Sequence, residues 1–444
     1  MTYAEYRDLK NSGIKWLQDI PSHWRIKRLK FSTELVNDKV SVEESSLPYL
    51  GLEHIESWTG RRIFGEIANS EGLASAFSTG DLLFGKLRPY LAKVHLAEQE
   101  GLISSEALVI RSKAEVHSAF LKYYMLSRDF INIVDSSTYG SKMPRANWDF
   151  IGNLPLLLPE LEEQQAIARF LDFKTAQIDA LIAKKQALLD KLAEKRTALI
   201  SHAVTKGLVP SVPMKDSGVA WLGEIPAHWE RMLMARVISA FEQGWSPSCD
   251  EREASEEEWG VLKSGCVNYG VFQEREHKTL PASIDPIPSL EVKAGDILMC
   301  RASGSKHLIG SVALVKKCRP KLMFSDKTYR VSLQSAMIDS EFFVLVMRSK
   351  YLREQIELSI SGADGLANNI PQSSVKAYQV VIPPLDEQQI IAVTLQKKIE
   401  SMDTQEKKIA KAIGKLQEYR SALITNAVTG KIDVRAWQPN QEAA

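Results

Sequence analysis

The chain has 444 residues, 56 Lys+Arg against 55 Asp+Glu, and 44% hydrophobic residues. That length predicts two or more domains, and the apolar fraction excludes bulk disorder. No run of 18 apolar residues and no apolar leader is present, so no membrane contact and a cytoplasmic location are expected, while a net charge of +1 argues at face value against a polyanion ligand.

In chain order, the first feature is one half of a repeat. Residues 10–24 (KNSGIKWLQDIPSHW) align without a gap on residues 215–229 (KDSGVAWLGEIPAHW), nine of fifteen positions being identical. Trp16/Trp221, Pro21/Pro226, His23/His228 and Trp24/Trp229 are among the matches. Residues 1–24 are thus an N-terminal block. Residues 25–158 follow as a mixed domain, with β-rich runs at 82–84 and 107–110 and a helical pattern at 118–134.

Residues 159–206 then align gap-free on residues 383–430, with 21 of 48 identities. Each block opens on Pro, Leu and acidic residues (PELEEQQ, PPLDEQQ) and reads as one long helix. Leu395, Met402, Ile409, Leu416 and Leu423 recur every seventh residue. Leu171, Ile178, Leu192 and Leu199 do so in the first copy, with Lys185 as one polar interruption. Leu181, Ile182, Leu188 and Leu189 are expected to fill out this seam. The pattern is that of a coiled coil, and about 44 residues make a rod of about 65 Å. A rod with an exposed apolar stripe is not stable alone, so the two are expected to pair with each other. Two unrelated domain-capping helices are the alternative.

Residues 207–229 form a central linker block, and residues 230–382 a second mixed domain. That domain has β-rich runs at 297–300, 312–315 and 329–333, a helical pattern at 340–358, and an acidic run at 250–258 expected to be a solvated loop. A tail, residues 431–444, closes the chain. The fold class is α+β.

Few residues carry a catalytic pattern. No phosphate-binding glycine loop, H-E-x-x-H or G-x-S-x-G occurs. Cys249, Cys266, Cys300 and Cys318 are irregularly spaced, with no C-x-x-C, and are expected to be reduced thiols. Asp285, Glu291 and Lys293 have the acid-plus-E-x-K spacing of Mg-dependent nucleases. The equivalent first-copy positions Ser70, Ala76, Phe77 and Ser78 lack that chemistry, which counts against it. His23 and His228 are expected to pack beside tryptophan in a structural role.

What remains is a binding pattern. After Gly80-Asp81, residues 82–97 hold Lys86, Arg88 and Lys93 and no acid. After Gly295-Asp296, the 29 residues from 297 to 325 hold Arg301, Lys306, Lys316, Lys317, Arg319 and Lys321, again with no acid. A second loop in each copy, 139–147 (YGSKMPRAN) and 361–369 (SGADGLANN), combines Gly with Asn. Arg and Lys can take phosphates and guanine, and Asn can pair bidentately with adenine. The candidate DNA-binding residues are Lys86, Arg88, Lys142, Arg145, Asn147, Arg301, Ser303, Lys306, Lys316, Lys317, Asn368 and Asn369. Ordinary basic surface loops are the alternative.

In combination, the W-L-G-x-I-P-x-H-W block, the segment GDLLFGKLRPYLAKV and the P-P-L-x-E-Q-Q helix ending in A-L-I-x-x-A-V-T-G-K-I resemble the specificity subunit of type I restriction–modification systems, over essentially the whole chain. The resemblance implies two mixed α/β target-recognition domains joined by two long helices, an antiparallel coiled coil in a pseudo-twofold, circular arrangement. Each domain would read one half of an asymmetric bipartite site on double-stranded DNA. The helices would set the spacing and dock two methyltransferase subunits, which admit restriction and motor subunits. The chain itself would be non-catalytic and without a cofactor, S-adenosylmethionine, ATP and Mg²⁺ belonging to the partners. A stand-alone Mg-dependent nuclease and an antirestriction or assembly scaffold are the alternatives. Residues 25–158 balance 16 basic against 16 acidic residues, and residues 230–382 balance 19 against 19. The isolated chain is therefore expected to bind DNA weakly.

Overall fold

The apolar runs Leu82–Gly85 and Ile297–Cys300 are buried along their whole length, as expected of strands covered on both faces. The computed structural model describes residues 3–17, 19–65, 72–140, 142–361 and 368–439. The chain divides into two units, Met1–Gln186 with Ala410–Ala444, and Ala187–Ile409.

In unit 1 one sheet orders its strands Thr33–Val36, Ala107–Ser112, Leu82–Gly85 and Val94–Leu96, all antiparallel. A second sheet orders Lys39–Ser41, Leu73–Phe77, Gly101–Ser104 and Tyr49–Leu50, the last pair parallel. Unit 2 repeats the first sheet with Ile238–Gln243, Thr328–Leu333, Ile297–Cys300 and Val312–Leu314. Its second sheet has three strands, His277–Thr279, Gly260–Leu262 and Leu322–Phe324, again ending in a parallel pair. Each mixed domain is closed at its root by a short ladder: Arg25–Arg28 on Pro155–Leu158, and Glu230–Leu233 on Gln379–Ile382.

The helical patterns at 118–134 and 340–358 are each two helices rather than one. Ser118–Leu126 and Arg128–Ser136 break at Ser127, and Ser340–Arg348 and Lys350–Ser359 break at Ser349. Both serines are buried and extended, and each hydroxyl donates to a carbonyl of the preceding turn, Tyr124 and Val346. A serine satisfied this way competes with the helix ladder, and periodicity alone does not register that.

The two repeated blocks are the helices Leu161–Lys206 and Leu385–Val428. Unit 1 contains the first half of one and the last half of the other, and unit 2 the complementary halves, so within each unit they run antiparallel. Leu171, Ile178 and Leu423 are buried in unit 1, with Leu416 packed against that core. Leu395 and Met402 are buried in unit 2, and Leu199 packs against its core. Leu192 and Ile409 are half-buried. Leu181 and Leu188 do not fill the seam; they are 48% and 47% exposed. A pair of helices covers one stripe of each, and these two leucines lie off it.

The acidic run is an exposed loop, as expected, and it is tied down by cations. Glu258 pairs with Arg252, Glu251 with Lys278 and Glu257 with Lys321, while Arg319 donates to the carbonyls of Ala254, Glu256 and Glu258. Two cations of the acid-free segment are thus spent holding this loop.

Candidate nucleic-acid interface

The repeated tryptophan block and helix start form a lock. Glu163 accepts from His23 Nε2 at 2.8 Å, Trp24 Nε1 at 3.1 Å and the Tyr6 hydroxyl at 2.6 Å. Glu387 accepts from His228 Nε2 at 2.8 Å and Trp229 Nε1 at 3.1 Å. The next residue faces the other way. Gln164 accepts from the His117 N–H and donates to the carbonyls of Glu115 and Pro159, and Gln388 does the same with Asp339, Met337 and Pro383. Each E-Q pair therefore fixes a helix start to the tryptophan block and to the recognition domain together. In unit 1 the lock also gathers both chain ends. Ala4 bridges Asp433, and Gly430 has φ +74° where a Cβ would stand 2.2 Å from Pro21 Cδ.

That frame positions two loops in each unit, and the structure brings them together. In unit 1 the basic loop leaves Leu82–Gly85, and Ala146 N–H donates to the Lys86 carbonyl at 3.0 Å. Arg88 N–H donates to the Pro144 carbonyl at 2.8 Å, and Leu87 bridges Arg145. In unit 2 Ile370 N–H donates to the Arg301 carbonyl at 3.0 Å, and Ala302–Ser303 forms a ladder with Asn368–Asn369. The result in both is one platform of two loops at the end of a buried strand.

The candidate side chains divide by what they touch. Arg145, half-exposed, donates to both carboxylate oxygens of Glu106 at 2.9 and 3.1 Å. Asn147 caps the helix Trp148–Ile151, its Oδ1 accepting from Phe150 N–H at 2.8 Å. Arg301 donates to the Tyr329 hydroxyl at 2.9 Å and to the Asp326 carbonyl at 3.3 Å. Ser303 Oγ accepts from Ser305 N–H, Lys316 pairs with Glu341 at 2.7 Å, and Asn369 Oδ1 accepts from Ser361. Asn368 is buried, and its Oδ1 has no protein partner. Residues 362–367 of that loop lie outside the described residues. Arg145, Arg301, Ser303, Asn368 and Asn369 thus help build the platform, whereas Asn147 stays exposed, and Lys316, 61% exposed, lies with Lys317 past Leu314 at the opposite end of the Ile297–Cys300 strand.

Arg88, Lys142, Lys306 and Lys317 are exposed, and Lys86 is half-exposed. Beside them in unit 1 sequence reasoning missed Tyr90, Tyr139 and Met143, which are 45%, 61% and 45% exposed. An exposed aromatic next to a basic loop was the available signal. It also missed Lys39, whose ammonium lies below its ordinary range through burial and then through the charge of Lys86. The unit 1 surface thus presents cations, a guanidinium and flat rings, groups able to meet phosphates, a base edge and base faces.

Asp285 and Lys293 are exposed, and the Glu291 carboxylate accepts the backbone N–H of Lys321 at 2.8 Å. Among the described residues no three His, Cys, Asp or Glu are grouped to hold a metal. No helix among them is long and apolar enough to cross a membrane.

Each unit thus combines a mixed domain carrying a paired-loop platform with halves of the two long helices, the same plan in both. The family model described as type I restriction modification DNA specificity domain matches residues 74–191 and 271–413, and the chain belongs to that family. It is 35% identical over 198 residues to the type I restriction enzyme EcoEI specificity subunit of Escherichia coli, covering 44% of this chain and 33% of that one. It is 30% identical over 234 residues to the EcoDI specificity subunit of the same species, covering 51% of this chain and 48% of that one. These two matches therefore span less than half of each relative. Against the MjaVIII specificity subunit of Methanocaldococcus jannaschii it is 22% identical, covering 94% of both chains. A chain solved in work on complex assembly and conformational transition of the type I R-M system superposes with a TM-score of 0.67 at 16% identity, covering 93% of this chain and 99% of that one. At that identity the match shows the shared fold.

Proposed function

We infer that the chain is the non-catalytic DNA-reading subunit of a type I restriction–modification complex, each recognition domain taking one half of a bipartite site. The observation that carries this reading is the two-loop platform, built the same way in both units. Such a platform is held rigid by backbone hydrogen bonds, leaving its outer side chains to read base edges while cations at its rim fix register on phosphates. The two platforms differ in sequence, so the site is asymmetric. The long helices separate the domains and dock two methyltransferase subunits, which admit the restriction and motor subunits. S-adenosylmethionine, ATP and Mg²⁺ act on those partners, in the cytoplasm. The balanced charge of each domain supports weak binding by the chain alone, with partners adding electrostatic grip.

Co-expression with the methyltransferase and restriction genes of its operon, followed by methylome sequencing, tests this. A gapped two-part motif that disappears without this gene is expected. Modification that is ungapped, or unchanged without the gene, contradicts the reading.

A further inference from the structure

Among the described residues five non-glycines have a left-handed φ, and three of them lie on one line in unit 1: Trp58 at +65°, Arg88 at +50° and Ala92 at +46°. The line begins on the long helices. Buried Arg420 donates Nε and Nη2 to Asp179 at 2.8 and 3.3 Å, and Nη1 to the Trp58 carbonyl at 2.9 Å. Trp58 N–H donates to the Ala92 carbonyl at 3.1 Å, and Ala92 N–H to that of Pro89 at 2.8 Å. Leu91 N–H reaches the Arg88 carbonyl at 2.9 Å, and Arg88 N–H reaches Pro144 in the second loop. Left-handed backbone in residues with a Cβ persists only where the surroundings over-determine it. Here the surroundings are a hydrogen-bonded chain anchored in an ion pair.

We propose that Arg420 is a positioning residue for the unit 1 platform, holding the Arg88 loop in register with the long helices through the Trp58 turn. This rests on the DNA-reading function inferred above. The planar guanidinium grips a carboxylate with two N–H groups and sends a third to a carbonyl; a lysine can keep the charge but not this fork. The repeat supplies an internal control. Arg196 and Asp403 stand 224 positions from Arg420 and Asp179. Arg196 spends its guanidinium on Asp403 and Glu406, and its Nε is buried without a partner. Arg196 thus serves the helices, whereas Arg420 joins the helices to a reading loop.

The test uses the full chain co-expressed with its methyltransferase partner, selected on a randomised duplex library, with amide hydrogen exchange measured on the full chain alone. In Arg420→Lys, exchange across residues 87–92 is expected to rise roughly tenfold, and discrimination at one half-site to fall roughly tenfold, the other half-site and the helix content being retained. Arg196→Lys is expected to change neither. Unchanged exchange at 87–92 in Arg420→Lys, or an equal loss at both half-sites, overturns the proposal. So does an Arg196→Lys variant that reproduces the effect. If the wild type enriches no two-part sequence while exchange at 87–92 still rises in Arg420→Lys, the functional reading falls and the coupling stands.

Discussion

Glu163 shows how a repeated residue acquires a different weight in each copy. It is 7% exposed and accepts three hydrogen bonds, whereas Glu387 accepts two at a more open site. Glu163→Ala is expected to lower the stability of unit 1 by about 3 kcal/mol, and Glu387→Ala to lower that of unit 2 by about half as much, read by denaturant-dependent hydrogen exchange. The Tyr6 phenol is pushed above its ordinary value of 10.0 by burial and then by its bond to Glu163. Its folded state therefore keeps a proton that the unfolded state releases. That contribution is complete below about pH 10 and declines as pH rises further. Tyr6→Phe is expected to abolish this component, so the stability gap between the two proteins narrows above pH 10 in paired urea titrations. At the platform, Arg88→Ala is expected to weaken DNA binding by the complex and reduce its salt slope by about one. Arg145→Ala is instead expected to loosen the 86–88 and 139–147 loops in hydrogen exchange, because its guanidinium is spent on Glu106.

At the scale of elements, each long helix carries the same Asp and Arg seventeen positions apart, and the antiparallel arrangement joins the Asp of one helix to the Arg of the other. The environments differ. Arg420 and Asp179 are 9% and 8% exposed, while Arg196 has a second partner in Glu406 and Asp403 is 40% exposed. Asp179→Ala is therefore expected to cost about 3–5 kcal/mol by leaving a buried cation alone, and Asp403→Ala about 1 kcal/mol or less. Leu423→Ala is expected to cost about 2–5 kcal/mol, whereas Leu188→Gln falls within about 0.5 kcal/mol, both read as shifts in urea midpoint. The heptad was legible because seven-residue spacing is local. Which stripe is covered was not, since Leu181 and Leu188 differ from Ile178 only in what the partner helix reaches.

The whole molecule uses one architecture twice, with the length variation confined to the recognition domains. Exchange of residues 230–382 for the corresponding segment of another family member is expected to alter one half of the methylated motif and leave the other half and the gap unchanged. Methylome sequencing checks this, and a change in both halves would show that the domains do not read independently. The duplication, the helix spans, the principal strands and the family were legible in the sequence because each rests on short-range pattern or on matching residues. The pairing of Arg145 with Glu106 and of Arg301 with Tyr329, the capping by Asn147 and the exposure of Tyr90 and Tyr139 were not. A basic side chain in a loop has the same sequence signature whether it meets DNA or a carboxylate from a distant strand. Only the tertiary structure sets Glu106 beside Arg145 and Tyr329 beside Arg301, and so decides which cations remain on the outer face.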